Sequence, residues 1–86
     1  MFIYSIFDKK ALSFGPLFTC ENDDVARRTV SISLYKDSLL SGAPGDFSLY
    51  CLGEYNSNDG SVSGFTPVNL VCEILSLIKV DKKGEA

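Results

Sequence analysis

The sequence predicts a small α+β domain that combines an N-terminal β-hairpin, one helix, further antiparallel strands and a C-terminal helix. Three observations favour this class: apolar runs separated by polar turns, a capped amphipathic segment in the middle, and a length of 86 residues. That length suits one domain and leaves no room for a second. We therefore expect a single domain over residues 1–86, with residues 82–86 as a frayed polar tail.

The N-terminal hairpin is predicted by two apolar runs on either side of a polar turn. Residues 2–7 are apolar on both alternating faces except at Ser5, which is typical of a central strand. Residues 8–11 form the turn, and residues 12–18 return as a strand that Pro16 interrupts. Because proline cannot donate a hydrogen bond to a sheet, we expect the return strand to lie at an edge or to bend there.

The middle of the chain carries two competing patterns. Asn22 is a good helix N-cap, and Asp23 and Asp24 complement the positive end of a helix dipole. Residues 29–35, by contrast, alternate and are rich in β-branched side chains, which is a strand pattern. The cap and the acidic first turn favour a helix, which we place at residues 23–36.

A loop, a strand and a hairpin turn are predicted next. The glycine and proline content marks residues 41–46 as a loop, and residues 47–55 alternate in the clearest strand pattern of the chain. Residues 56–60 are Asn, Ser, Asp and Gly, and several of these tolerate the positive φ angles that close hairpins. We expect a short strand through Val62 to follow.

The C-terminal apolar run has two interpretations. Thr66 and Pro67 resemble an N-cap followed by proline at the first helical position, and Val71 and Ile74 then lie on one helical face. A buried strand fits the same apolar run equally well. We favour a helix over residues 67–80.

Composition and charge exclude several classes of protein. The three cysteines are odd in number and form no CxxC pair, which favours reduced thiols in a cytosol. No apolar run approaches the roughly 20 residues that span a bilayer, and the N-terminus lacks the basic region of a signal peptide. We therefore expect a cytoplasmic protein without membrane contact. The net charge of −3 argues against tight, sequence-blind binding of duplex DNA.

The chemistry of an enzyme is missing from the sequence. There is no histidine, which removes the commonest general base and the commonest metal ligand. No phosphate-binding or dinucleotide-binding glycine motif appears. We expect a protein that is not an enzyme, with no catalytic residue, metal, cofactor or small-molecule substrate.

Basic and aromatic side chains suit single-stranded nucleic acid. Pairs of basic residues occur in the first turn and early on the predicted helix, although such pairs usually form a solvated face. Aromatic residues of the first hairpin could offer stacking surfaces, although aromatics in a small domain usually form its core. The basic residues are Lys9, Lys10, Arg27 and Arg28, and the aromatic residues are Tyr4, Phe7, Phe14 and Phe18. The DNA interpretation weakens if the four cations scatter or pair with carboxylates.

Three segments, FDKKALSFGPLF, ENDDVARRT and DFSLYCLGEYNSNDGSV, occur in this order. Together they resemble the nonstructural protein of microviruses, the small icosahedral single-stranded DNA phages, particularly of the gokushovirus group. The resemblance covers roughly residues 3–62, and two stretches, residues 29–45 and 67–80, depart from the family pattern. The matching positions are Asp8, Lys9, Lys10, Phe14, Gly15, Pro16, Asn22, Val25, Ala26, Arg28, Asp46, Leu49, Tyr50, Gly53, Tyr55 and Gly60.

The resemblance implies an accessory role in viral single-stranded DNA synthesis or packaging inside the infected bacterium. Our leading hypothesis is weak contact with single-stranded DNA, with a replication protein, or with both. The alternative is a protein-interaction module that binds a host or phage partner without touching DNA. A homodimer is also expected, because a thin core and a short return strand leave an open sheet edge. The candidate nucleic-acid-binding residues are Lys9, Lys10, Arg27, Arg28, Tyr50 and Tyr55.

Overall fold

A five-stranded antiparallel sheet is the framework of the protein in the computed structural model, which describes residues 1–78. Strand β1 (Phe2–Asp8) lies at its centre, between β4 (Phe47–Tyr55) on one side and the short strands β2 (Ser13–Phe14) and β3 (Phe18–Cys20) on the other, and β5 (Val62–Glu73) is the far edge. The predicted α+β class is confirmed. The elements in chain order are β1 (Phe2–Asp8), β2 (Ser13–Phe14), β3 (Phe18–Cys20), α1 (Asp23–Ser33), α2 (Ser38–Gly42), a 3-10 turn (Pro44–Asp46), β4 (Phe47–Tyr55), β5 (Val62–Glu73) and a second 3-10 turn (Ile74–Leu77).

The first hairpin has the predicted central strand and interrupted return strand. The return strand is split into β2 and β3 around Gly15, whose N–H donates to the Ile6 carbonyl at 2.9 Å. The Ser5 hydroxyl in turn donates to the Gly15 carbonyl at 2.9 Å, so the interruption stays attached to β1. The return strand resumes and reaches Cys20, two residues beyond the predicted end at residue 18.

Helix α1 forms where the cap and the acidic first turn predicted it. The Asn22 side chain accepts a hydrogen bond from the N–H of Val25 at 2.9 Å, which satisfies a donor at the helix start. Ala26 and Val30 are buried, one turn apart, on the face that packs against the sheet. The helix ends at Ser33 rather than at residue 36, and the next three residues continue as turns.

The predicted loop at residues 41–46 is wrong in part, because it contains helical turns. Helix α2 ends at Gly42, and the first 3-10 turn follows it. The cause is a second N-cap, since the Asp37 carboxylate accepts from the N–H groups of Leu39 and Leu40 at 3.0 and 3.3 Å. This short helix places Leu40 in the core with 7% of its surface exposed.

The predicted C-terminal helix is also wrong, because residues 67–73 belong to β5. This strand pairs with β4 from Tyr55 opposite Val62 to Ser48 opposite Glu73, so a long-range ladder takes the place of local helical bonds. As an edge strand it tolerates Pro67, which lies where the register with β4 shifts. Residues 79–80 of the predicted helix and the predicted tail at residues 82–86 lie outside the described residues.

The two faces of the sheet differ. One face, the helix face, carries the buried side chains of the core together with α1, α2 and the last 3-10 turn. Tyr4 and Leu49 lie on this face and are fully buried. The alternate residues of β1 and β4, among them Phe7 and Tyr50, lie on the opposite face, which we call the open face. No helix within residues 1–78 is long and apolar enough to cross a membrane.

Candidate functional site

Three aromatic rings meet on the open face and form what we call the aromatic cluster: Phe7, Phe14 and Tyr50. The centroids of the two phenylalanine rings are 4.8 Å apart, and Tyr50 lies edge-on to Phe14 at 5.5 Å and to Phe7 at 6.2 Å. Phe14 is 42% exposed. The cluster therefore presents aromatic surface to solvent on a sheet face that carries none of the buried hydrophobic residues found within residues 1–78.

Strand register brings these rings together. Phe7 on β1 is directly opposite Phe14 on β2, which places their side chains on the same face. On the other side of β1, Tyr50 is opposite Ser5, two residues before Phe7. A diagonal neighbour at this spacing is within reach of an aromatic side chain. Because Ser5 is small, it leaves room beside the rings.

An ion pair between Lys9 in the first turn and Glu73 on β5 lies next to the aromatic cluster. The Lys9 ammonium donates to the Glu73 carboxylate at 2.6 Å and to the Gly45 carbonyl at 3.3 Å. The hydroxyl of Ser48, the residue opposite Phe7, donates to the same carboxylate oxygen at 2.8 Å. Both hydrogen bonds lower the pKa of Glu73, and the one from Lys9 has the larger effect. The positive charge of Lys9 is therefore balanced within the protein.

The remaining predicted cations do not share one face. Arg27 lies on α1, pairs with Asp24 at 2.7 Å and donates to the Val71 carbonyl at 3.4 Å. Arg28 is exposed on the same helix. Lys10 is exposed in the first turn, next to Lys9 in the chain. Two of the four predicted cations are thus paired with carboxylates, which weakens the case for tight phosphate binding.

The two predicted tyrosines are separated along β4. Tyr50 belongs to the aromatic cluster, whereas Tyr55 ends the strand, opposite Val62, and its N–H donates to the Met1 carbonyl at 2.8 Å. The six candidate residues therefore fall into three groups rather than one site. Tyr50 is the candidate that the structure places among other aromatic rings, and Lys9 pairs with Glu73 beside them.

The hairpin aromatics divide between the two faces. Tyr4 is fully buried, and its hydroxyl donates to the Asp23 carboxylate at 2.8 Å. Burial is the main cause that raises the pKa of Tyr4, and the hydrogen bond to the Asp23 carboxylate raises the pKa further. Phe18 stacks on Tyr4 with its centroid at 5.8 Å. Tyr4 and Phe18 therefore belong to the core, whereas Phe7 and Phe14 remain available on the open face. The alternation along β1 is the sequence signal that separates them.

The cysteines of the described residues are neither paired with one another nor gathered with carboxylates into a metal site. All three thiols are free, and burial raises the pKa of Cys51 and Cys72. A raised pKa keeps a thiol protonated and poorly nucleophilic. Within residues 1–78, no group of three or more cysteine and acidic side chains is arranged to hold a metal ion.

Comparison with family models matches residues 1–77 to the family described as Phage ORF5 protein. Comparison with curated proteins finds no match, and neither does comparison with solved structures. The family match spans every strand and helix described above. The chain therefore belongs to the Phage ORF5 protein family.

Proposed function

We propose that this phage protein is an accessory factor of viral single-stranded DNA synthesis or packaging in the cytoplasm of the infected bacterium, of the microvirus and gokushovirus type. We propose further that it holds unpaired bases weakly on its open face. Membership of a phage family supports the first part. The aromatic cluster of Phe7, Phe14 and Tyr50 is the observation that carries the second.

Aromatic rings on an uncovered sheet face suit bases that are not paired. Stacking of one base on an aromatic side chain contributes about 1–3 kcal/mol, and it needs access to the face of the base. Sheet-based RNA-binding modules use aromatic residues in this way. A duplex hides those faces inside its own stack, so the cluster discriminates against duplex DNA.

The charges of the protein make this binding weak. The net charge of −3 repels a polyanion, and the ion pairs of Lys9 and Arg27 leave Lys10 and Arg28 as the candidate cations that make no ion pair within residues 1–78. For single strands, the logarithm of affinity falls with the logarithm of salt with a slope of about −0.7 per phosphate contacted. We therefore expect a slope of roughly −0.7 to −1.4, from one or two contacts.

Fluorescence anisotropy with a labelled oligothymidine, at about 20 mM salt, tests the proposal, since low salt favours phosphate contacts. Phe14→Ala removes the most exposed ring of the cluster and should weaken binding about 5- to 150-fold, the equivalent of one lost stacking contact of about 1–3 kcal/mol. Tyr35→Ala is the matched control, because Tyr35 is an aromatic residue that is 88% exposed in the turn after α1. Its effect should be less than about twofold.

Two outcomes would reject DNA binding on the open face. One is equal loss of affinity in both variants, and the other is no saturable binding by the unmodified protein. The second outcome leaves the alternative function, a protein-interaction module that binds a host or phage partner without touching DNA. The pairing of Lys9 and Arg27 with carboxylates is the observation that favours this alternative.

A homodimer remains part of the proposal, but the sheet edges are poor places to form it. One edge is interrupted at Pro16, between β2 and β3, and the other contains Pro67 beside a register shift. Proline and irregular backbone are the means by which edge strands avoid pairing with other chains. A dimer is therefore expected to bury a face rather than an edge, and sedimentation at micromolar concentration tests whether it forms.

A further inference from the structure

An apolar groove lies on the helix face, on the other side of the sheet from the aromatic cluster. It runs between β3 and α1 with a volume of about 600 Å³, and its walls include Ile6, Phe18, Val25, Val30 and Leu40. Past Pro16 it meets a smaller cavity of about 270 Å³, which reaches Leu39 and Phe47 and is also lined by Phe14 at the edge of the sheet. We call the two together the helix-side groove. Volumes of about 300–1,000 Å³ are typical of sites that enclose a compact ligand.

The charged side chains that line the helix-side groove are all acidic, although Met1, with its α-amino group, also lines the larger cavity. Asp8, Glu21 and Asp37 contribute to its walls, and within residues 1–78 neither lysine nor arginine does. Lys36 precedes Asp37 in the chain but does not line the groove. Like charges around an apolar cleft focus the electrostatic potential and attract ligands of the opposite sign. The groove is therefore suited to a positively charged ligand with apolar groups.

Exposed leucines extend the apolar surface at the rim. Leu39, in the wall of the smaller cavity, and Leu17, next to Pro16, are each 65% exposed. Apolar surface that continues from a groove onto its rim is characteristic of a site for a partner protein. The acidic lining excludes nucleic acid, which would bring negative charge to negative charge. It also disfavours a second copy of this chain, whose net charge is −3.

We propose that the helix-side groove binds a segment of another protein in which leucine-like side chains alternate with lysine or arginine. The apolar side chains fill the groove, and the basic side chains face Glu21 and Asp37 at its edge. The larger cavity lies on the face opposite the aromatic cluster, so binding there does not depend on DNA binding, although Phe14 of the cluster also lines the smaller cavity. With both sites in use, the protein connects a basic partner on one face with single-stranded DNA on the other.

The full chain, labelled with ¹⁵N, can be titrated with a short synthetic amphipathic peptide of leucine and lysine. The expected result is saturable shifts of the amide signals of residues that line the groove, such as Thr19, Glu21, Thr29 and Ser33. The same peptide with glutamate in place of lysine should cause none. Shifts centred on the aromatic cluster, or no saturation at millimolar peptide, would overturn the proposal.

Two double variants separate a specific site from general charge attraction. Glu21→Gln with Asp37→Asn removes two groove charges and keeps an N-cap on α2, because asparagine caps as well as aspartate. It should weaken peptide binding about 3- to 10-fold, as two exposed ion pairs would. Glu54→Gln with Asp59→Asn removes two charges at the distal hairpin and should change binding by less than about twofold.

A third variant acts through the wall of the groove. Thr29→Lys places a positive charge on the exposed side of α1 that lines the groove, and lysine has a better helix propensity than threonine. We expect peptide binding to fall by at least about tenfold, because a like charge then faces the peptide. Equal losses in the two double variants, or unchanged binding in Thr29→Lys, would show that the groove is not the site.

Discussion

Removing one buried hydroxyl is expected to loosen the attachment of helix α1 to the sheet. The Tyr4 hydroxyl donates to the Asp23 carboxylate at 2.8 Å, and Tyr4 is fully buried at the centre of the core. Tyr4→Phe keeps the ring and its stacking on Phe18, so no cavity is created. The change therefore isolates a single hydrogen bond between the central strand and the first turn of the helix.

The size of the effect follows from the acceptor. A hydrogen bond to a charged group contributes about 1.5–3 kcal/mol. Asp23 is exposed, so its carboxylate is hydrated again when Tyr4→Phe removes the donor. The expected loss in the free energy of unfolding is therefore about 1.5 kcal/mol, the low end of that range. With a urea m-value of about 1 kcal/mol/M for so small a domain, the unfolding midpoint should fall by about 1.5 M.

Urea unfolding followed by circular dichroism measures this loss. A double-mutant cycle with Asp23→Ala separates the hydrogen bond from the contribution of Asp23 to the helix dipole. We expect a coupling energy of at least about 1 kcal/mol between the two changes. Additive effects of Tyr4→Phe and Asp23→Ala, or a loss below about 0.3 kcal/mol for Tyr4→Phe alone, would refute the reasoning.

Two further residues give predictions with clear signs. The fold lowers the pKa of Glu73, so the ionised carboxylate stabilises the protein. This contribution is complete above the ordinary glutamate pKa of about 4.3 and is lost as the pH falls through the lowered value. The free energy of unfolding in urea, measured from about pH 3 to about pH 6, should therefore depend less on pH in Glu73→Gln than in the unmodified protein. The same variant should bind oligothymidine more tightly, because it releases a lysine beside the aromatic cluster. Gly53→Ala should destabilise the protein by about 1–3 kcal/mol, since the added Cβ meets the Ser63 carbonyl, whereas Gly45→Ala meets no atom and should be nearly neutral in the same assay.

The sequence was sufficient to predict those helices and strands that interactions between neighbouring residues determine. The Asn22 cap outweighed the alternating pattern of residues 29–35, and α1 formed. The C-terminal run offered no such local decision, because Pro67 is compatible with either a helix start or an irregular edge strand. Its outcome depended on pairing with β4, a partner that the run itself does not reveal. The short helix α2 had a local signal, the Asp37 cap, which the glycine and proline content of the following loop obscured.

The candidate site was predictable only in its parts. Alternation along β1 separates Phe7 from Tyr4, but which face remains open depends on where α1 packs. The Arg27–Asp24 pair has a helical spacing that the sequence displays, whereas Lys9 pairs with Glu73, 64 positions away. No pattern within the first turn predicts that its lysine is neutralised by the far edge strand. Long-range contacts of this kind decide which cations remain available to a ligand.

Strand β1 precedes the other described strands in the chain and lies inside the sheet, so its pairing depends on parts of the chain that are made later. β1 cannot complete its hydrogen bonds until β4 has been made, because Phe2 pairs with Glu54 and Asp8 pairs with Phe47. The long loop between β1 and β4 must close before the contacts between these strands can form. The entropy cost of closing it slows folding, and the apolar strand β1 stays exposed until then. A nascent or truncated chain that ends before β4 is therefore expected to aggregate or to be degraded rather than to persist as a smaller folded unit.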